Sequence, residues 1–216
     1  MRGAFETTAE GAVVAREEFE IKDAAKGKTL AASGSEKGKR DRKWTLEARL
    51  SPGGAFESVD LQVTPAPPPT EVTTTVLRMY GGRAFGTTIP PGGVPEKFET
   101  AFEAAGALRG FSTALDGLSL GRLPFKVGHG RRLFVVILDT AELRPAVRDM
   151  LVLCRARSRE KTPEGEQWCS TVDLRAADEP GRTHTTLVIA KSGLVLRLER
   201  PGRIPALRTD LVDFRA

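Results

Sequence analysis

The chain has 216 residues, 40% hydrophobic and 28% charged, with a net charge of +5 and a pI near 9.5. This is the balance of an ordinary globular chain with length for a buried core. It holds no apolar run approaching ~18 residues, which excludes a helical membrane span, and no Asn, which excludes N-glycosylation sequons.

Residues 1–10 read as a loose lead-in, and Met1 to Phe5 carries no apolar signal core. The expectation is therefore either a cytoplasmic protein or one whose signal has been removed. Val13, Ala15, Phe19 and Ile21 alternate with polar partners and predict a half-buried strand, in which Glu17 is the exception on the apolar face. Thr29–Ser35 is a weaker strand. Trp44, Leu46, Ala48 and Leu50 give the clearest period-2 signal, and the Ser51-Pro52-Gly53-Gly54 turn folds the chain back through Val59, Leu61 and Val63. The Pro-rich stretch 65–70 reads as a loop at the sheet rim rather than as an interdomain linker. Val72–Tyr80 and Ala84–Ile89 continue the strands.

Val94–Leu108 predicts an amphipathic helix. Pro95 suits a first turn, Phe98, Ala101, Phe102, Ala105 and Leu108 share one face, and Glu96, Lys97, Glu99 and Glu103 take the other. Phe111–Leu118 offers a second helical turn, and Leu123–Val127 resumes β structure. Leu133–Leu138 is apolar on both faces, as in a central strand covered on both sides. Two hairpins follow, Met150–Ala156 with Gln167–Leu174 and Thr183–Ala190 with Leu194–Glu199, and a last strand spans Ala206–Phe214. The sum is a single domain over 1–216, mainly β. It is a curved antiparallel sheet or half-barrel of about 10–12 strands with one helix on its concave face.

Few residues carry chemistry. Cys154 and Cys169 lie on the two arms of one predicted hairpin, which predicts a cross-strand disulfide and an oxidising compartment, with two unlinked thiols as the alternative. His129 and His184 have no metallopeptidase spacing, no Gly-x-Ser-x-Gly occurs, and the Gly81-Gly82 loop runs into a strand rather than a helix. No catalytic residue, metal site or cofactor is expected. The basic run of Lys37, Lys39, Arg40, Arg42 and Lys43 lacks stacking aromatics, so nucleic acid is not an expected partner. An acidic surface such as anionic lipid headgroups suits the positive charge. The apolar surplus is more telling. Phe98, Phe102, Trp44 and Leu46 either complete a packed core or, if the sheet stays open, line a cavity between helix and sheet.

The order of strands, helix and more strands, with an opening strand Gly11–Ile21 and a closing hairpin Leu187–Leu198, resembles the unclosed β-barrels of bacterial envelope lipid carriers. The lipoprotein-carrier family is the nearest of these. The chain also resembles secreted bacterial β-proteins of unassigned function. That resemblance implies a periplasmic or secreted protein, and the absent signal sequence departs from its pattern. The expectation is a non-catalytic envelope protein that binds a lipid or other apolar ligand, or a lipid-bearing partner. Its further candidate partners are an anionic membrane surface and an envelope protein. A structural or interaction module is the alternative, and an enzyme comes third.

Overall fold

Period-2 patterning governs most of the molecule. The computed structural model describes residues 1–37, 41–65, 72–102, 107–138, 145–201 and 206–215. Among them the first meander is β1 (Arg2–Ala9), β2 (Ala12–Ala24), β3 (Gly27–Glu36), β4 (Arg42–Leu50), β5 (Phe56–Pro65), β6 (Thr73–Tyr80), β7 (Arg83–Ile89) and β8 (Glu96–Ala101). Next come β9 (Ala107–Arg109) and α1 (Thr113–Gly121). The second meander is β10 (Gly130–Ile137), β11 (Ala146–Thr162), β12 (Gly165–Ala176), β13 (Thr183–Ala190), β14 (Val195–Arg200) and β15 (Leu207–Arg215). The prolines of the expected rim loop beyond Pro65 lie outside the described residues.

All fifteen strands form one sheet in the order β8-β7-β6-β5-β4-β3-β2-β1-β15-β14-β13-β12-β11-β10-β9. Pairing is antiparallel except between β9 and β10. The two meanders join where β1 pairs with β15, so the first and last strands sit at the middle of the sheet. A flat sheet of fifteen strands would be about 65 Å wide at ~4.8 Å per strand. Yet Ala101, ending the strand at one edge, and Ala107, opening the strand at the other, are six peptide steps apart. Six steps span at most ~22 Å. The sheet must therefore curl until its two edges approach each other, and it remains an unclosed barrel.

The inner face carries Phe5, Phe19, Leu30, Leu46, Leu61 and Leu77 from one meander and Val135, Val172, Leu187 and Leu198 from the other, in one hydrophobic cluster with Leu115 and Leu120 of α1. The helix touches β3 on one side and β9, β13 and β14 on the other, which places it inside the curl. Leu115 and Leu120 are fully buried, and each contributes roughly 2 kcal/mol by apolar burial before entropy costs. Among the described residues no helix is long and apolar enough to cross a membrane.

Four expectations are corrected. Val94–Leu108 is not a helix: Glu96–Ala101 pairs with β7, and Ala107–Arg109 pairs with β10. The segment carries two periods at once. Glu96, Phe98 and Thr100 are half-buried while Lys97, Glu99 and Ala101 are exposed, an alternation as good as the helical one. The unpaired edge of β7 decides between them, because its N–H and C=O groups require partners. Glu103 and Ala105 lie outside the described residues.

The helix instead lies downstream, over the weaker Phe111–Leu118 signal. Its pattern was obscured by Gly117 and Gly121, each costing a helix about 1 kcal/mol relative to Ala. Close approach explains them. A Cβ on Gly117 would lie 2.4 Å from the Gly193 carbonyl oxygen, and one on Gly121 would lie 2.5 Å from the Gly193 Cα.

The lead-in is strand β1, hydrogen-bonded on both sides, with Phe5 stacked on Phe19 at 5.1 Å. Only Phe5 among its inward residues is large, which left the signal weak. Finally, β structure resumes at Gly130 rather than Leu123, and β10 lies beside the edge strand rather than at the centre: Val135 and Val136, on opposite faces, are both buried, whereas Phe134 is 55% exposed.

Candidate functional site

Polar groups inside the curl gather at the N-terminal end of α1. A helix begins with backbone N–H groups that lack partners within it. Ser112 is the N-cap, with extended backbone, and its Oγ accepts from the Leu115 N–H at 3.1 Å. Glu17 of β2, the polar exception in an apolar row, supplies the rest. Its carboxylate accepts from Ser112 Oγ–H at 2.6 Å, from Thr113 N–H at 2.6 Å and from Ala114 N–H at 3.2 Å. Complete burial lifts the Glu17 carboxyl from its ordinary 4.5 to about 7, against the lowering pull of those hydrogen bonds.

The helix also covers the free edge of β9. Leu108 N–H donates to Ser119 Oγ at 2.7 Å, and Gly110 N–H donates to Asp116 Oδ1 at 3.1 Å. Arg109 Nη2 donates to Asp116 Oδ2 at 3.1 Å, a pair buried on both sides. Side chains of α1 thus play the part of the next strand.

Beside this helix end lies a cavity of about 320 Å³. Its apolar wall includes Phe5, Ala9, Ala15, Trp44, Phe111 and Leu207, and Glu17 and Thr113 reach its floor. Arg16, Lys37, Arg42 and Arg200 border it, against the acidic Glu17 and Glu36. Trp44 needs a bare neighbour: its ring lies across Gly34, where a Cβ would come within 2.4 Å of it. The same ring meets Phe111 with centroids 6.2 Å apart, and the Arg42 guanidinium sits 4.8 Å above Phe111 while bonded to Glu36. Phe111 holds φ at +60°, a left-handed conformation that costs a bulky residue about 1–3 kcal/mol. Its ring contacts with Trp44 and Arg42 hold it there, so one wall of the cavity is built at the expense of local strain.

Of the residues expected to line a cavity, Trp44 borders this one. Leu46 and Phe102 lie within the core, and Phe98 is half-buried on β8 and packed against that core. Glu17 and Phe111 were not singled out as site residues. The signal for Glu17 was its position on an apolar face; for Phe111 the backbone strain has no mark in the sequence.

The expected disulfide is corrected. Cys154 and Cys169 are free and buried. The hairpin closes with Thr162 opposite Gly165, which sets Ser158 opposite Cys169 and, past a bulge, Cys154 opposite Val172. Three to four residues along the ladder separate the cysteines by roughly 10 Å, beyond the ~7 Å Cα limit for a bridge. Burial pushes both thiols up, which makes them poor nucleophiles. His129 is exposed in its loop and His184 half-buried on β13. Among the described residues no cluster of His, Cys, Asp and Glu is arranged to hold a metal ion.

A larger space, about 890 Å³, is a trough on the outer face of β1–β6, lined by Glu18, Glu20, Ser33, Thr45, Glu47 and Gln62 among others. These are the solvent-facing partners of the strand alternation, and none is a buried polar group lacking a bond.

No protein-family model and no curated protein matches this chain. Among the solved structures that resemble it are two from bacteria. One is a β-barrel-like protein of the domain of unknown function DUF1849 from Brucella abortus, with 11% identity and a TM-score of 0.63 over 99% of this chain and 97% of that one. The other is a DUF1089 family protein from Pseudomonas aeruginosa, with 12% identity and a TM-score of 0.54 over 85% and 88%. At such identities the likeness shows the fold, a β-barrel-like sheet.

Proposed function

We propose that this chain is a non-catalytic binding protein of the bacterial cell envelope that holds the apolar part of a lipid-like molecule at the mouth of its half-barrel. The observation that carries the reading is the cavity between Trp44, Phe111 and the start of α1. Its volume, about 320 Å³, is at the lower end of the ~300–1,000 Å³ typical of ligand pockets. The helix fills the rest of the interior, so the ligand would occupy the mouth and leave its head at the rim. That rim sets Arg16, Lys37, Arg42 and Arg200 against Glu17 and Glu36, with Arg42 paired to Glu36 and Arg16 to Glu6, and its excess of cations suits an anionic head. A secreted or periplasmic location follows from the envelope reading alone, because the two cysteines give it no geometric support.

The test is native mass spectrometry of freshly purified protein, with titration of a fluorescent fatty acid. Ala15→Phe fills the cavity from β2. The expected result is at least a tenfold loss of probe affinity, with a melting temperature close to that of the parent. Unchanged affinity in that variant, or no uptake by the parent protein, refutes the reading.

A further inference from the structure

A second surface lies beyond the other end of α1, and it does not depend on the ligand reading. In the β11–β12 ribbon, Arg157 is opposite Ser170, Arg159 opposite Trp168 and Lys161 opposite Glu166. Alternation puts these on one face. Trp168 is 49% exposed, and the Arg159 guanidinium sits 5.4 Å from its ring centroid. Pro124 and Phe125 share a cavity of about 210 Å³ with Trp168, Arg157 and Lys191. Lys126 is exposed and Val127 is 47% exposed. A hydrogen bond from Gly128 N–H to the Cys154 carbonyl, 2.9 Å, ties this segment to β11.

The charge on this face is one-sided. Among the described residues Arg157, Arg159, Lys161 and Lys191 meet one acid on it, Glu166, which accepts from Arg159 at 3.4 Å. Glu160 belongs to the alternate positions and accepts from Ser158 at 2.8 Å. Glu164, in the turn, accepts from Gln167 at 2.9 Å. A half-exposed indole beside long cations, with Pro124 and Phe125 at the same cavity, has the chemistry of the membrane interface. There the ring rests among headgroups and the cations meet phosphates. Nucleic acid would use the cations and the indole but has no place for the aliphatic side chain of Pro124.

We propose that this face docks the protein on an anionic phospholipid bilayer, with Trp168 entering the headgroup layer.

Flotation with phosphatidylcholine vesicles, with and without phosphatidylglycerol, tests it. Trp44 borders the cavity beside the start of α1, so the part of the indole emission change that is lost in Trp168→Ser is the part that reports Trp168. The expected result is binding to phosphatidylglycerol vesicles alone, with a blue shift in emission and weakening by salt. Arg157→Gln and Lys191→Gln alter exposed side chains and should each lower the partition coefficient about fivefold. Trp168→Ser should abolish the emission shift. Three results overturn the proposal: equal binding to both vesicle types, binding insensitive to all three variants, or capture of a single-stranded oligonucleotide with no vesicle binding.

Discussion

The two ends of α1 are seated by different means. At the N-terminal end the polar contacts are directional: Glu17, Ser112 and Asp116 satisfy named N–H groups and one guanidinium. From its middle to its C-terminal end the helix is also held by close approach, with Gly117 and Gly121 laid against Gly193, beside the Leu108–Ser119 bond and one from Arg122 to the Gly54 carbonyl at 3.3 Å. The first means tolerates space but not the loss of a partner. The second does not tolerate the gain of one methyl at either glycine. A short helix inside a curled sheet needs both, because nine residues bury too little to dock by apolar area alone.

That contrast can be broken from either side. The largest effect is expected from Arg109→Met, which strands the buried Asp116 carboxylate and should cost about 3–5 kcal/mol, read from urea unfolding. Adding Asp116→Asn should recover part of the loss. If the double variant is no more stable than the single one, the pair is not what Arg109 contributes.

Next in size is a pH effect. Folded Glu17 keeps its proton up to about pH 7, whereas the unfolded chain loses it near 4.5. The native state therefore binds more protons between those values, so this contribution is fully present below pH ~4.5 and is lost as pH rises through ~7. The change is about 3 kcal/mol at 1.36 kcal/mol per unit. Stability measured across that window should fall with pH, and Glu17→Gln should flatten the slope. An unchanged slope in the variant removes Glu17 as its source.

The smallest effect is expected where the helix meets Gly193. Gly117→Ala should cost about 1–3 kcal/mol net by overpacking, although the same change in an isolated helix gains about 1 kcal/mol. A stabilised Gly117→Ala protein would mean that the helix does not approach Gly193 as closely as described.

Much of this architecture was legible beforehand. Trp44, Leu46, Ala48 and Leu50 alternate cleanly, the Ser51–Gly54 turn returns the chain, and β4 and β5 pair as that pattern implies. The site was less legible. Glu17 advertised itself as an acid in an apolar row, but nothing local says that a helix N-terminus 95 residues away will meet it. The cysteines misled because their pairing needs a hairpin centred between Lys161 and Thr162, whereas the ladder closes with Thr162 opposite Gly165, and that offset shifts every cross-strand pair.

The amino-acid sequence by itself determined the period-2 strands, their turns and so the β-rich class, since those depend on neighbours two residues apart and on Gly and Pro backbone geometry. Only the tertiary structure decided where the helix forms. Phe98 and Phe102 satisfy both periods, and Gly117 and Gly121 weaken the helix they belong to. An open strand edge at β7 and a space of glycine width beside Gly193 settle what the letters leave undecided, because backbone hydrogen bonds and close packing outweigh propensities of about 1 kcal/mol.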